Sequence, residues 1–173
     1  SAYSIVGNTT SVTAGTATAI PNAATGAAAA LTVRFTPTSV GKLVGGTIAG
    51  SSTIDIKFPG GARAINVPSS IAASDVLING ISSNSVSVIT PGDGGQVRIT
   101  LPSGLTIPAS VQATVYFKLG AGLVMPNPAG AGSSDILVST SSETTLSTQT
   151  ANLTLLASVS LSVSSITVTP PNA

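Results

Sequence analysis

A period of two dominates this chain. Through most of its length Val, Ile or Leu alternates with Ser or Thr, and clusters of Gly and Pro bound each run. Successive side chains of a strand point to opposite faces, so the pattern specifies strands with one buried and one solvated face. The strands expected are Leu31 to Thr36, Thr53 to Phe58, Val76 to Asn79, Ser85 to Thr90, Gln96 to Leu101, Val111 to Phe117 and Asp135 to Thr140. The run Ala27 to Ala30 favours helix intrinsically, but it is short and leads straight into Leu31-Thr32-Val33-Arg34-Phe35, so it is expected to be extended.

Turn chemistry separates these runs. Asn79-Gly80 suits the positive φ angles of a tight turn, and Pro91-Gly92-Asp93-Gly94-Gly95 reads as a hairpin loop. Phe58-Pro59-Gly60-Gly61 leads to Val67-Pro68-Ser69-Ser70-Ile71, and Leu101-Pro102-Ser103-Gly104 leads to Ile107-Pro108-Ala109-Ser110-Val111. Two equivalent sandwich crossings would explain this echo, with Pro stopping the ladder where a missing N–H does no harm. The fold class expected is all-β, an antiparallel sandwich.

The 173 residues suit a single domain. Only 6% are charged, against roughly 25% in an ordinary soluble domain, so the surface must be Ser, Thr, Asn and Gly. A net charge of +1 leaves little repulsion between copies and favours association. Arg34, Lys42, Lys57, Arg63, Arg98 and Lys118 are spread singly and form no basic stripe, which argues against nucleic acid as a partner. No apolar run approaches the ~20 residues of a membrane span. The chain has no Cys, so disulfides cannot cross-link it. It starts at Ser1, and its single Met is Met125, from which removal of a signal peptide and a secreted, cell-surface location are expected.

With neither His nor Cys, the Ser-His and Cys-His nucleophile pairs and the usual zinc and copper ligand sets are missing. Asp55, Asp75, Asp93, Asp135 and Glu143 are well separated, so no catalytic residue and no cofactor is expected. Asp93 in its Gly-rich loop could give an oxygen to calcium at a subunit contact, though it lacks the clustered Asp and Asn of a calcium loop and suits a plain turn better. Asp55 and Lys57 flank Ile56 as charges that keep a strand face wet. Asn8-Thr9-Thr10 and Asn152-Leu153-Thr154 fit the N-glycosylation pattern. Thr16-Ala17-Thr18 has the residues of an ice-binding face without its regular repeat.

A set of turn and strand-edge motifs adds a family likeness. Phe35-Thr36-Pro37, Gly45-Gly46-Thr47-Ile48, Phe58-Pro59-Gly60, Asp75-Val76, Ile78-Asn79-Gly80, Ile99-Thr100-Leu101-Pro102-Ser103-Gly104, Asn127-Pro128, Ala129-Gly130 and Leu137-Val138-Ser139-Thr140 with Glu143 carry it. From Phe35 to Glu143 the chain resembles the immunoglobulin-like modules of surface and S-layer-associated proteins of Gram-positive bacteria and some thermophiles. The resemblance implies an immunoglobulin-like β-sandwich, arranged in tandem with the first strand of a next module following each copy. It is nearly silent on chemistry.

Three segments follow: residues 1–20 as an extended N-terminal strand, 21–150 as the sandwich, and 151–173 as an extended C-terminal strand. After residue 151, Leu153, Leu155, Ala157, Val159, Leu161 and Val163 alternate unbroken, then the phase shifts at Ser164-Ser165 before Ile166 and Val168. At ~3.3 Å per residue such a run exceeds an ordinary strand, so part of it is expected to leave its own domain. The phase shift suggests a bulge or hinge. The ends also echo each other: Ile20-Pro21-Asn22-Ala23 near the start, and Ser165-Ile166-Thr167-Val168-Thr169 running into Pro170-Pro171-Asn172-Ala173. The self-assembly candidates are Val159, Leu161, Val163, Ile166 and Val168 at one end and Ile5, Val6, Val12 and Ile20 at the other.

The expected role is that of a structural, non-enzymatic subunit of an extracellular, pilus-like filament or surface assembly. Its partner would be itself, head to tail through strand complementation, with cell-wall or cell-surface components as further contacts. Alternatives remain open in the sequence: both ends pairing within one monomeric sandwich, a passive S-layer or spacer domain, or a carbohydrate-binding or adhesive module. The last is opposed by the shortage of aromatics, which are only Tyr3, Phe35, Phe58, Tyr116 and Phe117.

Overall fold

A computed structural model describes residues 13–20, 28, 30–46, 51–61, 64–124, 135–147 and 151–154. Fourteen strands follow one another among the described residues. The first seven are β1 (Thr13–Ile20), β2 (Ala30–Thr36), β3 (Leu43–Val44), β4 (Thr53–Lys57), β5 (Asn66–Val67), β6 (Val76–Ile78) and β7 (Ile81–Ser82). The rest are β8 (Ser85–Thr90), β9 (Gly92–Asp93), β10 (Gln96–Thr100), β11 (Thr106–Ile107), β12 (Ala113–Phe117), β13 (Asp135–Thr140) and β14 (Ala151–Thr154). The expected period of two is what these strands show: burial alternates residue by residue along β2, β4 and β12.

A ten-stranded sheet runs in the order β7-β6-β12-β2-β1-β14-β13-β4-β10-β8, with two-stranded pairs β11-β3 and β5-β9 beside it. Its inner face is buried in both halves. Val33 of β2, Val115 of β12 and Ile78 of β6 are register partners across one half, and Val138 of β13, Ile56 of β4 and Val97 of β10 across the other. All six are buried in one core together with Leu31, Phe35, Ile54, Ile99 and Leu101. Cross-strand neighbours of this kind are the unit of sheet stability. The halves face each other, since Phe58 at the end of β4 meets Phe117 of β12 edge-on with ring centroids 5.8 Å apart. The fold is an all-β sandwich.

The repeated Phe-Pro-Gly and Leu-Pro-Ser-Gly motifs mark two corresponding crossings. β4 and β10 are adjacent in one half, and β6 and β12, the next strands of the ten-stranded sheet after each, are adjacent in the other. Phe58 and Pro59 leave β4 buried, as Leu101 and Pro102 leave β10, and Val67 and Ile107 are the buried midpoints of the connections. At the hairpin tip, Asn79 (φ 49°) and Gly80 (φ 85°) make the tight turn between β6 and β7, and Asn79 Oδ1 also accepts a 2.8 Å hydrogen bond from Thr114 N. The loop after β8 does more than turn, because its Gly92 and Asp93 form β9 and pair with β5.

Strand β12 starts at Ala113, later than the Val111 expected. Ser110 is left-handed (φ 61°) and Val111 N bonds back to Pro108 O, so this stretch turns before it can extend, leaving Val111 48% exposed. The alanine run is extended where described: Ala30 opens β2 and Ala28 bridges Val124.

Ile56→Ala removes a fully buried side chain from the middle of the core and is expected to cost about 2–5 kcal/mol in urea unfolding. Ile89→Ala on the exposed side of β8 is expected to change stability by less than about 0.5 kcal/mol.

Candidate assembly site

Both ends of the described chain meet in the middle of the sheet. β1 lies antiparallel to β2, pairing Thr13 with Thr36, Ala14 with Phe35, Ala17 with Val33, Thr18 with Thr32, Ala19 with Leu31 and Ile20 with Ala30. On its other side β1 runs parallel to β14, with Ala17 opposite Leu153 and Thr18 opposite Thr154. β14 in turn pairs antiparallel with β13, Asn152 opposite Asp135 and Ala151 opposite Ile136. The β1·β14 pair is the one parallel pairing among the described strands, and in the sheet order it joins β2 to β13. Without these two strands the sheet would fall into β7-β6-β12-β2 and β13-β4-β10-β8.

The register of this lane is irregular. Between Ala14 and Ala17 the β1 strand advances three residues (17 − 14) while β2 moves two, from Phe35 to Val33 (35 − 33), which is a one-residue bulge. The positions of β1 opposite the buried Phe35, Val33 and Leu31 are all alanine: Ala14, Ala17 and Ala19. Of the expected assembly residues, Ile20 closes β1 opposite Ala30. Ile5, Val6, Val12, Val159, Leu161, Val163, Ile166 and Val168 lie outside the described residues.

Strand β13 is held from below by Glu143. This residue is completely buried, and its carboxylate accepts hydrogen bonds from Thr38 N at 3.2 and 3.3 Å. Thr140 N donates to Glu143 O, while Glu143 N donates to Thr140 O and to Thr140 Oγ1. Four residues on, Ser147 Oγ accepts from Val138 N and Ser147 N donates to Val138 O. The segment leading from β13 toward β14 is therefore clamped to the body of the sandwich. In the sequence Glu143 had stood out only as a scattered acid and a motif residue; the signal that could have found it is an acid placed just after a strand rich in β-branched residues, where a buried carboxylate must collect backbone donors.

On the outer face, Thr53, Asp55, Arg98, Ser139, Thr140, Ser141 and Thr144 line a polar depression of about 270 Å³. Arg98 and Asp55, register partners on β10 and β4, form a bidentate pair, Nε to Oδ1 at 2.8 Å and Nη2 to Oδ2 at 2.7 Å. The hydrogen bonds that Arg98 donates to Asp55, and then the charge of Asp55, push the Arg98 pKa up, against a smaller opposing effect of burial. Arg98 thus stays charged, and Asp55 has a cross-strand partner in addition to wetting its face. Asp93 accepts a 3.3 Å bond from Asn66 Nδ2, which ties β9 to β5. Among the described residues no group of three or more Asp or Glu could hold a metal, and no helix is long and apolar enough to cross a membrane. Phe35, Phe58 and Phe117 are buried core, and Tyr116 is half-buried.

Comparison with protein families, curated proteins and solved structures finds no match for this chain.

Glu143→Ala removes the carboxylate that accepts the bifurcated hydrogen bond of Thr38 N–H and is expected to destabilise the fold by about 1–3 kcal/mol in chemical denaturation. Arg98→Ala breaks a pair whose Arg is 52% exposed and is expected to cost less than about 1 kcal/mol, falling further in added salt.

Proposed function

We propose that this chain is a structural, non-enzymatic subunit of an extracellular filament or surface assembly, built on an immunoglobulin-like sandwich and polymerising head to tail by strand complementation between copies. The observation that carries the reading is the central lane, where strands from the two ends of the described chain lie side by side and join the halves of the sheet. A strand at the end of a chain can be exchanged between copies while every backbone hydrogen bond of its lane is remade, so the exchange leaves the ladder intact. Contacts of that kind are heterologous and propagate into a fibre.

The surface supports the same reading. With a net charge of +1 and 6% charged residues, copies repel one another weakly. Val40, Val44, Ile81, Ile89, Val111 and Leu119 are exposed. Edge strand β8, Ser85-Val86-Ser87-Val88-Ile89-Thr90, pairs with β10 on one side and carries none of the Lys, Glu or Pro that usually blunt an edge. Secretion and a place at the cell surface complete the proposal.

Negative-stain electron microscopy and light scattering of the purified protein test it. Filaments or extended multimers that grow with concentration are expected; a monomer at every concentration and on every grid contradicts the reading.

A further inference from the structure

The bulge in β1 has a counterpart elsewhere in the sequence. Opposite the buried Phe35, Val33 and Leu31 stand Ala14, Ala17 and Ala19, separated by three residues (17 − 14) and then two (19 − 17). Beyond β14 the apolar residues Val163, Ile166 and Val168 are separated by three (166 − 163) and then two (168 − 166), because the alternation slips at Ser164-Ser165. A strictly alternating strand laid in this lane would turn its apolar set to the wrong face after the bulge, since a one-residue slip exchanges the two faces. The tail carries the compensating slip at the matching place. The same offset sets Leu161 on Val12, Ser162 on Thr13, Thr167 on Thr18 and Pro170 on Pro21.

The two strands differ in size. Where β1 has alanine opposite the three buried residues, the tail has Val, Ile and Val, which offer more apolar surface for burial and are better strand formers. Following β14 in the chain, the tail laid in this register runs as β1 does, antiparallel to β2. Residues 155–160 between them, at ~3.3 Å per residue, reach up to roughly 20 Å.

We propose that residues 161–169 of one copy replace β1 in the next copy, in the register that sets Val163, Ile166 and Val168 opposite Phe35, Val33 and Leu31. The inference rests on the assembly reading above and names its donor, its acceptor lane and its polarity. β1 is then the occupant of the lane before assembly, weak enough at its alanine positions to be displaced.

The chain's lack of cysteine allows a direct test. A full-length Thr32→Cys, Thr167→Cys variant is oxidised under assembling conditions and run on a denaturing gel, beside Thr32→Cys, Thr18→Cys, which reports β1 in its own lane. The expected result is a ladder of covalent multimers from the first, and loss on assembly of the within-chain cross-link of the second. Adding Ile166→Ser and Val168→Ser to the first variant is expected to abolish the ladder without lowering the monomer's Tm. Assemblies that form with no 32–167 multimers, with the 32–18 link intact, or with 32–167 joined inside one chain overturn the inference while leaving self-assembly standing. Monomers in every sample remove the assembly reading itself, and this inference with it.

Discussion

The structure depends on the pairing of β1 with β14. One buried core is shared by two half-sheets whose backbone connection in the sheet order runs through these two strands. Buried N–H and C=O groups must find partners, so a half-sheet whose lane stood empty would expose a full row of them along β2 or β13. The parallel ladder removes that row. It does so with two segments far apart in the sequence, Thr13–Ile20 and Ala151–Thr154.

This arrangement gives physical content to a surface poor in charge. A monomeric sandwich has to protect its edges and keep its copies apart, commonly with Lys and Glu. Here only 6% of residues are charged, β8 is an uncharged edge, and large aliphatic side chains such as Val40 and Leu119 are more than half exposed. The polar depression beside Arg98 and Asp55 is satisfied within itself by a bidentate pair. What the chemistry of the described surface offers is contact, and the proposed filament uses it.

Much of the sandwich was legible in the sequence because alternation is a local signal. β8 and β13 have the bounds that their Val-Ser and Ile-Leu patterns predict, and Asn79-Gly80 announced its turn. The short pairs β3·β11 and β5·β9 were not visible, since two residues cannot show a period. β1 lies within the N-terminal strand expected over residues 1–20, but its bounds were not visible, because Thr13–Ile20 alternates Thr with Ala and alanine is a poor strand signal. The Arg98–Asp55 pair and the donors around Glu143 arise from register between distant segments, which no local window contains. The phase shift at Ser164-Ser165 was plain in the sequence, but its meaning depended on a bulge that only the paired backbone reveals.

Helical reconstruction of the filaments by electron cryo-microscopy, at a resolution that traces the backbone, tests the account most directly. It predicts that the strand lying between β2 and β14 of each subunit connects to a terminal segment of a neighbouring subunit, repeated with one polarity along the fibre. Density in which every subunit fills that lane with its own β1, and in which no backbone pairing crosses between neighbours, would contradict it.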